Sequence, residues 1–164
     1  RRARPSPYFV NEPRNAGDLM SVDPLAEITA AIPHRPPMLL LDEIVARDET
    51  SIRCRRTFRE DEFFVQGHYP GNPIVPGVIL CECAAQAAAV LLASIVGDAP
   101  GVPVLTRIQD ARFKRIVRPG ETVEIEAHLE ERLANAFFVT AKVSVGTSSA
   151  VRVQLSCALA PSET

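Results

Sequence analysis

The last third of the chain alternates between apolar and polar residues, which is the pattern of strands that bury one face. Turn-like residues, at Asn135 and over 146–148, separate the alternating segments. The apolar stripes are Val123, Ile125, Ala127 and Leu129, then Phe137, Val139, Ala141, Val143 and Val145, then Val151, Val153, Leu155, Cys157 and Leu159. Together with residues 102–113, these stripes predict an antiparallel meander of strands.

Residues 77–96 are rich in Ala and Leu and are apolar on nearly every side of a helix. Such a helix is expected to be buried, and its length would be about 30 Å. Pro76 suits its start and Gly97 suits its end. The simplest packing is an α+β fold, with a curved antiparallel sheet wrapped around this one long helix. Because a sheet covers only part of such a helix, dimerisation is expected to cover the rest.

The amino-terminal half has weaker patterns. Residues 1–20 are rich in Arg, Pro and Asn without a period, so we expect a disordered arm before a folded domain over 21–164. Asp23-Pro24 is a suitable start for a short helix. The predicted elements that follow are this helix over 25–32, a strand over 38–45, a turn over 48–51, a strand over 52–58 and a Pro/Gly-rich loop over 66–76.

The composition is that of an ordinary single domain, with 164 residues of which 46% are hydrophobic and 23% charged. A net charge of -2 gives no reason to expect nucleic acid or a membrane surface as a partner. The sequence has no apolar run that is both unbroken and long enough to cross a membrane, so no membrane span is predicted. The four cysteines lack metal or redox spacing and are interpreted as small apolar residues in a reducing compartment. No phosphate-binding loop or dinucleotide motif is found, and neither a metal nor a cofactor is expected.

Three histidines are candidates for chemistry, and their surroundings differ. His128 lies on the charged side of its strand and is interpreted as solvated. His34, in the rigid turn 33–37, is interpreted as a structural hydrogen-bonding residue. His68 lies in a loop stiffened by prolines, which would fix the direction of its imidazole for work as a general base. A histidine bonded only to loop carbonyls is the alternative.

Glu82 is the one ionisable acid or base over residues 75–96, apart from cysteines. A carboxylate on so apolar a helix is costly unless it is paired or used, and the setting favours its acid form. Gln86 is one turn further on and could hold Glu82, while the free N–H groups of Gly77 and Val78 could bind a carbonyl oxygen. A base, an acid and an oxyanion donor together predict a dehydration next to a carbonyl. A buried carboxylate satisfied by backbone donors is the alternative for Glu82.

Several short stretches combine into a recognisable pattern. They are residues 68–73 (His-Tyr-Pro-Gly-Asn-Pro), 76–78 (Pro-Gly-Val), Glu82, Ala85-Gln86, and the flanking segments 32–35, 64–68 and 111–115. The pattern resembles bacterial (3R)-hydroxyacyl-[acyl-carrier-protein] dehydratases, which are hotdog-fold enzymes of type II fatty acid synthesis. The resemblance covers about residues 24–160.

The resemblance implies a cytoplasmic hotdog enzyme that is at least a homodimer, with a trimer of dimers as the larger alternative. It implies that His68 is the catalytic histidine and that Glu82 of the other subunit is the catalytic carboxylate. The N–H of Gly77 would hold the thioester carbonyl, and Val78 and Gln86 complete the expected substrate-binding set. A Glu at position 82, where the related dehydratase/isomerase usually has Asp, suggests the plain dehydratase.

The resemblance also implies a partner, acyl carrier protein, which is acidic and carries the acyl substrate on its phosphopantetheine arm. A basic cluster near the expected tunnel mouth could dock this partner. The cluster consists of Arg112, Lys114, Arg115 and Arg118. An ordinary solvated edge is the alternative.

Some positions depart from the family's pattern. Tyr69 replaces a more usual Phe, Cys81 and Cys83 flank the glutamate, and Val104-Leu105 occupies the region of an aromatic gate. Pocket shape and tunnel gating are therefore open. The alternative functions are another hotdog enzyme, either a thioesterase or a polyketide dehydratase, and a non-catalytic acyl-thioester-binding protein. A thioesterase would not require the paired histidine and glutamate, so dehydration is the preferred interpretation.

Overall fold

The computed structural model describes residues 23–97 and 101–160. The predicted arm over 1–20 lies outside these residues, so the division of the chain into an arm and a domain stays a prediction. The helices are α1 (Pro24–Ala31) and α2 (Gly77–Val96), and the strands are β1 (Glu43–Arg47), β2 (Ser51–Thr57), β3 (Val102–Phe113), β4 (Thr122–Leu133), β5 (Ala136–Val145) and β6 (Ser148–Ala160).

The six strands form one antiparallel sheet in the order β1-β2-β4-β5-β6-β3. Helix α2 packs against β2, β3, β4, β5 and β6 and so forms the centre of the core. The predicted alternation is confirmed on β4, where Val123, Ile125 and Ala127 are buried while their polar neighbours are more exposed. The predicted α+β hotdog architecture is therefore confirmed.

Helix α2 begins and ends where the sequence predicts. Gly97 follows it with φ +55°, in the left-handed region that favours glycine. Helix α1 also begins as expected, because the Leu25 N–H donates to Asp23 Oδ1 at 2.9 Å. Both helix starts therefore follow from local sequence.

The predicted strand over 38–45 is only partly correct. Residues 39–41 are buried but lie outside any strand, and β1 starts at Glu43. The reason is that the backbone of this segment bonds to a side chain of α2, since Met38 O and Leu40 N both pair with the amide of Gln86. A buried apolar run does not by itself show where its backbone hydrogen bonds go.

Helix α2 is long and apolar enough to cross a membrane, by length and composition alone. The core helix of a soluble protein passes the same test. Here the sheet covers much of the helix, and Leu80, Ala84, Ala87 and Leu91 are almost completely buried. We therefore interpret α2 as the core helix of the domain.

Strand β3 is one edge of the sheet and pairs only with β6 within the described chain. Its apolar side chains are unusually accessible for a strand of this length. Val102, Val104, Leu105, Ile108 and Phe113 are between 37% and 56% exposed. The single chain thus leaves an apolar edge that a partner could cover.

Candidate active site

The loop over 67–76 has a tightly folded backbone. Gly67, Tyr69 and Gly71 all have positive φ, at +79°, +55° and +82°. Tyr69 is the notable one, because a residue with a bulky side chain rarely adopts this conformation. The His68 N–H donates to Val65 O at 3.0 Å and the Asn72 N–H donates to Tyr69 O at 2.9 Å. The loop therefore holds His68 from its own backbone.

The imidazole of His68 is oriented by one hydrogen bond. Its Nδ1 lies 3.0 Å from the carbonyl oxygen of Ile74. A carbonyl oxygen only accepts, so the neutral ring carries its proton on Nδ1 and leaves Nε2 bare. The side chain is half-buried, and the Tyr69 ring contacts it edge-on with 4.8 Å between ring centroids. The carbonyl contact and a role as a base are thus compatible, because the contact leaves Nε2 as the proton acceptor.

Glu82 is the sixth residue of α2. Its Oε1 accepts a hydrogen bond from Gln86 Nε2 at 2.9 Å. Its side chain is 29% exposed, so in the single chain it is half-buried. Among the described residues, no backbone N–H donates to the carboxylate, which argues against the alternative of a structural acid held by backbone donors.

Gln86 is 1% exposed and its amide makes three hydrogen bonds. Besides its bond to Glu82, Nε2 donates to Met38 O at 2.7 Å, and Oε1 accepts from Leu40 N at 2.8 Å. Both N–H groups and the oxygen are therefore in use. The amide joins the segment before β1 to the helix and holds the Glu82 side chain, as the spacing of the two residues predicts.

The start of α2 has no side-chain cap, because Pro76 occupies the capping position. A Cβ placed on Gly77 would lie 2.7 and 2.8 Å from two ring carbons of Phe113, so a larger residue would have to displace that ring. A groove of about 540 Å³ adjoins this point. Its lining includes Ile74, Val75, Gly77, Val78, Leu80 and residues 113–117. The groove is mostly apolar, as an acyl site would be.

His68 and Glu82 make no hydrogen bond or ion pair with each other within the described part of one chain. The lining of the groove beside Gly77 includes neither of them. Each is instead held by its own neighbours: His68 by Ile74, and Glu82 by Gln86. Within a single chain, the two candidate residues are therefore held apart from each other.

The predicted basic cluster is spread over two cavities. Arg112 and Lys114 line a concavity of about 590 Å³ on the outer face of the sheet, which Arg152 also lines, while Lys114 and Arg115 line the groove beside Gly77. Arg115 pairs with Glu121 at 2.5 Å, and its guanidinium holds the pKa of that carboxyl below the usual value. The four residues therefore do not all line one cavity, and Lys114 is the member that lines both.

The remaining members of the cluster also differ in their contacts. Arg112 pairs with Asp110 at 2.8 Å. Arg118 donates to Asn72 Oδ1 at 2.7 Å and so contacts the loop that carries His68. Within the described residues, Lys114 alone of the four has a side chain without a hydrogen bond or ion pair, while its backbone N–H donates to Ala150 O. Their use in docking stays a prediction.

His34 is the residue that sequence reasoning undervalued. Its Nε2 lies 3.6 Å from Glu82 Oε1. The turn over 33–37 had suggested only a structural role. One feature of the sequence could have indicated a role for His34, because this proline-rich turn resembles the loop that carries His68.

All four cysteines are buried and unpaired. Burial raises the pKa of the Cys54 thiol to about 12 and that of Cys157 to about 11, and it also raises the pKa of Cys81 and of Cys83. Over residues 23–97 and 101–160, no group of three or more His, Cys, Asp and Glu residues is arranged to hold a metal ion. The cysteines pack as small apolar residues.

Comparison with known sequences shows which protein family this chain resembles. A family model described as ApeI dehydratase matches residues 44–151. A protein of Lactiplantibacillus plantarum is 36% identical over 140 residues, covering 83% of this chain and 93% of the relative. One of Chloroflexus aggregans is 44% identical over 108 residues, covering 65% and 74%. Both relatives are named 3-hydroxyacyl-[acyl-carrier-protein] dehydratase FabZ.

Solved structures share the fold at lower sequence identity. A chain of the dehydratase heterocomplex ApeI:P from Xenorhabdus doucetiae superposes with a TM-score of 0.72 at 18% identity, covering 82% of this chain and 91% of that one. The PaaI protein of the E. coli phenylacetic acid degradation operon gives a TM-score of 0.59 at 16% identity, covering 70% and 80%. At such identities the likeness concerns architecture alone.

Proposed function

Because this chain belongs to the family of 3-hydroxyacyl-[acyl-carrier-protein] dehydratases, we propose that His68 and Glu82 together remove water from a (3R)-3-hydroxyacyl chain on acyl carrier protein. The product is the trans-2-enoyl thioester, and the enzyme is a hydro-lyase of fatty acid biosynthesis. The match to relatives of that name extends over 93% of one of them. The observation that carries the assignment of the base is the hydrogen bond from His68 Nδ1 to Ile74 O, which leaves Nε2 free to accept a proton.

The chemistry requires one proton to leave C2 and one hydroxyl to leave C3. His68 Nε2 takes the C2 proton, and protonated Glu82 gives its proton to the C3 hydroxyl, directly or through water. The electron pair of the C2–H bond becomes the C2=C3 double bond, and water departs. The N–H of Gly77 stabilises the negative charge that develops on the thioester oxygen. Exchange with solvent returns the proton from His68 to Glu82.

Two copies of the chain are needed for this site. His68 and Glu82 do not contact each other within one chain, and strand β3 leaves an apolar edge on the sheet. Pairing of two copies would cover that edge and bring His68 of one subunit to Glu82 of the other. We therefore propose a homodimer with two shared sites, with a trimer of dimers as the larger assembly.

Acyl carrier protein is proposed as the partner that delivers the substrate, in the cytoplasm. Among the four residues of the basic cluster, Lys114 is the one whose side chain pairs with no described residue, and it lines both the groove beside Gly77 and the concavity on the outer face of the sheet. Arg118 contacts the loop that carries His68. A cation at the border of the groove could hold an acidic partner close to the acyl site.

The test combines two inactive variants. His68→Ala and Glu82→Gln should each lower the rate of enoyl thioester formation about 10²- to 10⁴-fold, the usual worth of a positioned acid or base. When the two variants are unfolded together and refolded, half of the dimers mix, and one of the two sites in each mixed dimer is intact. Activity should then return to about a quarter of the wild-type value.

The variant His128→Ala, at a half-buried position on the outer face of β4 and assayed alone, is the matched histidine control and should keep wild-type activity. Each inactive variant refolded alone should stay inactive. Failure of the mixture to recover activity would exclude a site shared between subunits. Hydrolysis of the thioester in place of dehydration would support the thioesterase alternative.

A further inference from the structure

The carboxylate of Glu82 has two neighbours within its own chain, and both lie beside the same oxygen. Gln86 Nε2 donates to Oε1 at 2.9 Å, and His34 Nε2 lies 3.6 Å from Oε1. Within residues 23–97 and 101–160, no hydrogen bond or ion pair reaches Oε2. The two oxygens of the acid are therefore in different environments.

The other ring nitrogen of His34 decides which tautomer the ring adopts. Nδ1 is buried and has no hydrogen-bond partner among the described residues. A proton there would bury an N–H without an acceptor, at a cost of about 1–3 kcal/mol. A bare nitrogen at the same place costs less, so the neutral ring keeps its proton on Nε2 and directs that N–H toward Glu82.

The turn around His34 is rigid enough to hold this direction. The guanidinium of Arg35 donates to Ile32 O at 2.9 Å, to His34 O at 2.7 Å and to Thr29 O at 3.0 Å. These bonds join the turn to the end of α1. The segment that follows the turn is bonded to α2 through Gln86. His34 is thus fixed on both sides relative to the helix that carries Glu82.

We propose that neutral His34 is a positioning residue for the catalytic acid, and that Oε2 of Glu82 carries the proton given to the departing hydroxyl. This inference rests on the proposed dehydration. Donors directed at Oε1 make it the carbonyl oxygen of the protonated acid, so the hydroxyl proton is on Oε2. After the proton has left, the same donors stabilise the carboxylate that remains.

The distance of 3.6 Å is longer than a hydrogen bond. Contacts of catalytic groups are often long in the absence of substrate and shorten in the reacting complex. The contribution of His34 should therefore appear mainly in turnover and much less in substrate binding. This separates a positioning role from a purely structural one, which would lower folding stability instead.

A kinetic test uses two replacements of His34. His34→Phe keeps the ring shape and removes the N–H, and it should lower kcat about 10-fold with KM changed by less than about 2-fold. His34→Gln places an amide N–H near the position of Nε2 and should stay within about 3-fold of wild type. Urea unfolding of both variants checks that they are folded. Wild-type turnover in His34→Phe would overturn the proposal, and so would an equal loss in both variants.

A second measurement does not depend on activity. In ¹⁵N-labelled protein at pH 7, the ring signals of His34 are those that disappear in His34→Gln. They should show a proton on Nε2 and none on Nδ1, and Glu82→Leu should shift the Nε2–H signal. A proton on Nδ1, or on both nitrogens, would overturn the proposal even if the wild-type enzyme dehydrates its substrate. Wild-type protein without dehydratase activity would instead refute the proposed function, while the ring signals still decide the state of His34.

Discussion

The turn over 33–37 and the loop over 67–76 look alike in the sequence, since each is rich in proline and each carries one histidine. In the structure they are held in different ways. The loop positions its histidine by its own backbone, through Ile74 O. The turn also has backbone bonds, from the N–H groups of Met38 and Leu39 to Arg35 O, but it is tied to its surroundings by side chains, through the Arg35 guanidinium and the bonds of Gln86 to the segment that follows.

This difference has a chemical consequence for the two rings. The contact of His68 Nδ1 leaves Nε2 bare, so that ring can take a proton. The ring of His34 has its Nε2 toward Glu82 and its Nδ1 buried, so it is suited to giving a hydrogen bond. The same residue type in a similar local sequence is thus suited to opposite roles, and the neighbour of each ring nitrogen decides which.

The largest effect on folding stability is expected at Gln86, whose side chain bonds the segment after the turn to helix α2. Gln86→Leu leaves the N–H of Leu40, which is fully buried, without a partner and removes the donor to Glu82. We expect a loss of about 2–3 kcal/mol in the free energy of unfolding, measured by urea titration at fixed protein concentration. The exposed Gln154→Leu is the matched control and should change it by less than about 0.5 kcal/mol. Equal losses of unfolding free energy in Gln86→Leu and Gln154→Leu would show that the side-chain bonds of Gln86 do not stabilise the segment after the turn.

An intermediate effect is expected beside the loop, at the start of α2. Gly77→Ala would push the ring of Phe113 aside, because the new Cβ would lie 2.7 Å from a ring carbon. Phe113 is 56% exposed and can move, so folding should survive while kcat/KM falls about 10-fold. Ser94→Ala, near the other end of the helix, is the control. Partial recovery in the double variant with Phe113→Leu would show that crowding is the cause, and no recovery would exclude it.

The smallest effect is expected at Arg118, whose guanidinium donates to Asn72 Oδ1 and, at 3.5 Å, to Pro73 O of the loop. Arg118→Gln removes the bond to Asn72 Oδ1, which is exposed, while the backbone bonds of the loop remain. Turnover of a short pantetheine thioester should stay near the wild-type value. KM for the substrate on carrier protein should rise about 2- to 3-fold if this cation helps docking. Arg59→Gln, at an exposed ion pair elsewhere, controls for loss of charge. A large fall in the turnover of the short thioester would instead mean that the conformation of the loop depends on the Arg118 side chain.

The sequence predicted the elements whose signals are local. The ends of α2, the cap of α1 at Asp23 and the alternation of β4 to β6 all follow from neighbouring residues. The path of residues 38–41 was not predictable, because its hydrogen bonds depend on Gln86, which is 46 to 48 positions away. The same separation hid the contact of His34 with Glu82.

The candidate site shows the same limit. His68, Glu82 and Gln86 could be selected from the sequence because each is the unusual residue of its surroundings, and the pairing of Glu82 with Gln86 follows from helical spacing. The basic cluster could not be judged in that way. Its three arginines have three different partners, Asp110, Glu121 and Asn72, so the sequence does not show which of these charges remain available to a carrier protein.

The four buried thiols have a practical use. A protonated thiol in a closed core does not react with an alkylating reagent, so each of the four should take up label only when the surrounding structure opens. Cys83 follows Glu82 on the central helix, and Cys54 and Cys157 lie on separate strands. Mass spectrometry of the labelled positions would therefore rank the opening of helix and sheet in the native enzyme, without any engineered probe.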